Sequence, residues 1–99
     1  MNNEKYQSIR KMAEMIRKAK RGMFLIKLNR ALSEHGSKAT IYKEGKEAES
    51  DILEIKIDKE FCHTAVLEQN YNQNMIAYII KEVIEKKMKI NTAWGHNES

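Results

Sequence analysis

Proline is absent from this sequence. Average usage of about 5% would place several in such a chain, so its absence favours long helices and tight connections over Pro-rich linkers. Cysteine occurs once, at Cys62, which excludes an internal disulfide and means that folding needs no oxidation. Long apolar runs are also missing. None approaches the roughly 18 residues that cross a bilayer, and the opening MNNEKYQSIRK has no apolar signal-peptide core. The expectation is a soluble, cytoplasmic protein with no membrane partner. What is present is ordinary for a globular domain: 41% hydrophobic and 32% charged residues, too apolar for a disordered chain. With 99 residues there is enough chain for one core but not two, and a single domain over 1–90 with a tail at 91–99 is expected.

The net charge of +4 hides an asymmetry. Through Lys43 there are eleven basic and three acidic residues, a balance of +8; from Glu44 onward there are seven basic and eleven acidic, a balance of −4. All four arginines fall within the first thirty residues. Positive charge gathered in one half of a small domain attracts and orients a polyanion. Lysine outnumbers arginine fourteen to four, and Asn and Ile are frequent, a bias that accompanies AT-rich coding sequence and suggests a low-GC bacterium, its phage or its plasmid.

Hydrophobic spacing divides the chain. Tyr6, Ile9, Met12, Ala13, Ile16 and Ala19 form one helical face, opposite Arg10, Arg17, Lys18 and Arg21. Lys20-Arg21-Gly22 breaks this pattern, and a second helix with Phe24, Leu25, Leu28, Ala31 and Leu32 on one side runs from Met23 to His35. Gly36 stands where a left-handed cap favours glycine. From Asp51 to Glu68 a hairpin is expected. Leu53, Ile55 and Ile57 alternate with Ile52, Glu54, Lys56 and Asp58, the period of a strand with one buried face, and Phe61 to Leu67 supplies a second run, with a helix over Asp58 to Gln69 as its competitor. Met75, Ile76, Ile79, Ile80, Val83, Ile84 and Met88 then mark a closing helix that Asn72 or Asn74 can cap. Its stripe is wide enough to serve a second copy as well as the core, so a homodimer through Ile76, Ile80, Val83 and Ile84 is expected.

No catalytic chemistry presents itself. His35, His63 and His96 are far apart with no ligand spacing around them, and Cys62 lies in no motif. Phosphate-cradling glycine patterns, G-x-S-x-G and H-E-x-x-H do not occur. Neither an enzyme nor a cofactor or metal site is expected.

The stretch LSEHGSKATIYKEG, Leu32 to Gly45, leaves the fold open. Ser37 to Lys43 resembles the turn and recognition helix of bacterial helix-turn-helix repressors, in which a glycine turn precedes a Ser-Lys-Ala-Thr-like start. The resemblance implies an α+β, winged-helix-like fold with three N-terminal helices, a β-hairpin and a C-terminal helix. It also implies contacts to double-stranded DNA from Lys38, Thr40 and Lys43, from Lys56 and Lys59 in the wing, and from Arg10, Arg17, Lys18, Lys20 and Arg21 on the first helix. Thr40, Ile41 and Tyr42 favour a strand instead. With a strand at Ala39 to Glu44 the order resembles the double-stranded-RNA-binding fold, α-β-β-β-α with an extra N-terminal helix. At the place where that family carries a lysine pair, this chain reads Asn72-Gln73-Asn74.

The function expected on these grounds is that of a small DNA-binding protein with a regulatory or accessory role at a plasmid, phage or chromosomal site. About five neutralised phosphates would give a log-log salt slope near −4 to −5. A phage-encoded inhibitor that binds a protein partner, with the acidic Glu44 to Asp51 segment mimicking phosphate, is the alternative from another class, and a double-stranded-RNA-binding module is a third reading.

Overall fold

The structure, a computed structural model, describes residues 2–46 and 49–98, with the side chains of Asn2, Asn3 and 93–98 outside that description. Its elements run α1 (Asn2–Ser33), β1 (Lys38–Lys43), β2 (Asp51–Lys56), β3 (Cys62–Leu67) and α2 (Gln73–Glu98). The strands form an antiparallel meander in the order β1-β2-β3. Both helices contribute to the single core, with Phe24, Leu28 and Leu32 from α1, Ile76, Ile79 and Val83 from α2, and Ala39, Leu53, Ile55, Ala65 and Leu67 from the strands. The molecule measures 72 × 19 × 19 Å, long for its mass because the first half of α1 and the last turns of α2 run on beyond the core.

This architecture corrects the winged-helix expectation: two helices and a three-stranded antiparallel sheet stand where three N-terminal helices and a two-stranded wing were expected. The order α-β-β-β-α is that of the double-stranded-RNA-binding alternative, without an extra N-terminal helix. Two local readings account for the difference. Gly22 does not divide α1. It costs about 1 kcal/mol inside a helix, but buried Arg21 and Phe24 anchor the helix on either side of it, and tertiary contact outweighs that cost. Ser37 to Lys43 is not a recognition helix either. Leu32 accepts from Ser37 N–H and Ser33 from Gly36 N–H, at 3.0 and 3.1 Å, and Gly36 has φ 69°. Together these form the paired C-terminal closure that ends a helix and releases the chain in a new direction.

β1 is then held by one side chain of α1. The Asn29 amide donates to Ala39 C=O at 3.0 Å and accepts from Ala39 N–H at 2.7 Å, replacing the neighbour that an edge strand lacks. Strand alternation falls as its pattern requires, with Leu53, Ile55 and Ile57 buried and Lys56 and Asp58 exposed. Between β2 and β3 the Asp58 carboxylate accepts from Glu60 and Phe61 N–H, an Asx turn. Asn72 caps α2, its side chain accepting from Met75 N–H at 2.9 Å. α2 continues to Glu98, past the Ile90 boundary expected for the domain; the side chains of Trp94 and His96 lie outside the described residues.

Candidate nucleic-acid interface

With both helices on one side, the other side of the sheet is open to solvent. The register places its residues in three rows across the strands: Lys38, Lys56 and Cys62; Thr40, Glu54 and Thr64; Lys43, Ile52 and Val66. The pairing of β1 shifts between Ile41 and Lys43, and this bulge leaves both Tyr42 and Lys43 exposed, where strict alternation would turn one of them inward. Lys38 stands directly opposite Lys56, both exposed. Like charges in register destabilise a sheet by a few tenths of a kcal/mol or more, so this pair runs against the stability of the fold. Lys59 is exposed in the turn that follows β2, at the same end of the sheet.

Lys38, Thr40, Lys43 and Lys56, expected to touch DNA from two separate motifs, therefore share one face. The face holds three lysines, two threonines and one carboxylate, Glu54, whose oxygen lies 3.8 Å from Cys62 Sγ. Thr64 and Glu54, paired across β2 and β3, join this face without having been expected in it. The period of two had already set Glu54 on the outward side, but nothing local brings Thr64 beside it.

The cations of α1 separate into different roles. Arg10, Lys18 and Lys20 are exposed, with the Arg10 guanidinium 5.9 Å from the Tyr6 ring centre. Arg17 is half-buried and donates to Gly45 C=O. Arg21 is 3% exposed and reaches Asp51 and Glu44, each at 3.0 Å. Asp51 also accepts from Gly45 N–H at 2.7 Å and from the Tyr71 hydroxyl, so one buried carboxylate joins α1, the β1–β2 loop and the β3–α2 loop. Gly45 is required there, because a Cβ would collide with the Glu49 and Ser50 carbonyl oxygens. The network leaves a mark on Tyr71: burial, the hydrogen bond to Asp51 and the Asp51 charge push its hydroxyl pKa up to about 12. Glu44 and Asp51, both in the acidic segment, thus face Arg21; Glu47 and Ala48 lie outside the described residues.

The α2 residues expected at a dimer interface fall at the core and its margin. Ile76 and Val83 are buried in it, while Ile80 and Ile84 are half-buried beside Ala31. His63 points toward α2, with Nε2 2.6 Å from a Glu82 oxygen. Among the described residues no helix is long and apolar enough to cross a membrane, and no three His, Cys, Asp or Glu side chains converge as metal ligands.

Fold and site together describe a two-layer α+β protein with an open, lysine-bearing sheet face. Comparison with protein-family models, curated proteins and solved structures yields no match for the chain.

Proposed function

We propose that the protein binds double-stranded DNA through the open face of its sheet and serves a regulatory or accessory role at a DNA site. The observation that carries this reading is the in-register pair Lys38 and Lys56, two exposed cations opposed across strands with no carboxylate between them. Lys43 and Lys59 extend the charge, and the +8 balance of the first 43 residues supplies long-range attraction. Strands can enter the major groove, and lysine, threonine and glutamate are side chains that pair with base edges there. Lysine contacts to phosphate would fix the register of the protein on the duplex.

The inhibitor reading loses support, because Asp51 of the acidic segment is buried against Arg21 and is not free to imitate a phosphate, and Glu44 is paired with the same guanidinium. A double-stranded-RNA reading is favoured by element order alone, since exposed Asn72, Gln73 and Asn74 bring no cation to the start of α2. The test is fluorescence anisotropy of labelled duplexes at low salt. Duplex DNA should bind at micromolar protein or tighter, duplex RNA more weakly, and the exposed double variant Lys38→Glu/Lys56→Glu should lose at least tenfold in affinity with its melting curve unchanged. Absence of DNA binding at micromolar protein overturns the proposal.

A further inference from the structure

α1 carries a second apolar stripe that the core does not use. Ile9, Met12, Ile16, Ala19, Met23 and Ile26 follow at alternating spacings of three and four, the a and d positions of a heptad repeat. At about 100° per residue this stripe lies roughly half a turn round the helix from Phe24, Leu28 and Leu32, which meet the sheet. Its five large side chains are each 53–62% exposed. A helix that served only its own core would present polar residues there.

We infer that this stripe is the seam of a homodimer in which α1 of one copy packs antiparallel against α1 of another. A 3.5-residue repeat matches the surface of a second helix, and α2 has its own apolar side committed to the sheet. The exposed fractions of the five large residues amount to about 600 Å² per chain, or about 1,200 Å² for a pair, the lower end of the range for specific interfaces. Because the seam faces away from the sheet, two copies meet along α1 with their sheets held apart.

Direction follows from side-chain size. The antiparallel pairing sets Ile9 against Ile26, Met12 against Met23 and Ile16 against Ala19, so the one small seam residue meets a large one. A parallel pair would stack Ala19 on Ala19 and leave a gap in the middle of the seam. The antiparallel arrangement also brings Lys27 of one copy to Tyr6 of the other, a cation beside an aromatic ring, and opposes the two helix dipoles.

Sedimentation equilibrium of the full chain tests the seam. The expected species is twice the 11.6 kDa chain mass, and Ile16→Glu, a change at an exposed position, should return it to the monomer with the melting temperature of the sheet core retained. A wild-type protein that stays monomeric at high concentration, or an Ile16→Glu variant that stays dimeric, overturns the seam. Direction is read by disulfide cross-linking in a Cys62→Ser background. Ile9→Cys with Ile26→Cys should form covalent dimers, whereas Ile9→Cys alone should not, its copies being about 25 Å apart along the axis. Ready cross-linking of Ile9→Cys alone overturns the antiparallel arrangement.

Discussion

Replacing Asp51 with alanine removes one carboxylate that serves three donors: the Arg21 guanidinium at 3.0 Å, Gly45 N–H at 2.7 Å and the Tyr71 hydroxyl. The largest consequence concerns Arg21. Its side chain is 4% exposed, and a buried cation stripped of its partner costs about 3–5 kcal/mol. Glu44 remains 3.0 Å away, but at 57% exposure it is solvated and compensates weakly. The orphaned Gly45 N–H adds about 1 kcal/mol, while Tyr71 can turn toward water. The total, about 4–6 kcal/mol, is a large share of the 5–15 kcal/mol that typically holds a domain together. At about 4–8 °C per kcal/mol it lowers the melting temperature by roughly 15–50 °C. Thermal and urea unfolding followed by circular dichroism measure it. The double variant Arg21→Met/Asp51→Leu, which removes both charges, should recover much of the loss. A loss below about 1 kcal/mol for Asp51→Ala would refute the view that this carboxylate ties the two loops to α1.

Other consequences follow from the same contacts. Tyr71 retains its proton in the folded chain up to about pH 12, against the ordinary 10.0; the unfolded chain releases it earlier, so this contribution to stability is whole below pH 10 and is lost as pH rises from 10 to 12. Denaturation across that window should show wild type falling by about 1–2 kcal/mol, discounted for partial exposure, relative to Tyr71→Phe. Asn29→Ala leaves both polar groups of Ala39 unpaired at the sheet edge and should cost about 1–3 kcal/mol, read by urea unfolding, with faster hydrogen exchange at Ala39. On DNA, the four lysines of the sheet face and its turn should give a log-log salt slope of about −3 to −4, shallower than a count including Arg17 and Arg21 would give, and Lys38→Ala/Lys56→Ala should reduce it by about 2.

Arg17 and Arg21 illustrate what a linear reading misses. Their spacing with Arg10 and Lys18 describes one helical face, and cations on a helix face are ordinarily solvated. Arg21 is turned inward because Asp51, thirty residues away, is buried against it. No local pattern announces that meeting. The apolar face of Tyr6 to Ala19 was legible as a stripe, yet its spacing does not reveal that it turns away from the sheet and stays exposed. Thr40, Ile41 and Tyr42 did carry their own information, since β-branched and aromatic residues suit a pleated surface; the resemblance to a recognition helix pointed the other way.

The order of residues by itself determined the elements that depend on local chemistry: the alternation of β2, the closing helix, the glycine turn at Gly36 and an asparagine cap at Asn72 or Asn74. Each rests on hydrogen bonds or side-chain faces set within a few residues, which the order of residues encodes directly. Only the tertiary structure decided that α1 is continuous through Gly22, that Lys38 meets Lys56 on an open face, and that Arg21 is withdrawn from the surface. Those outcomes depend on which distant segments come together, because burial and cross-strand register arise from contacts between elements rather than within them.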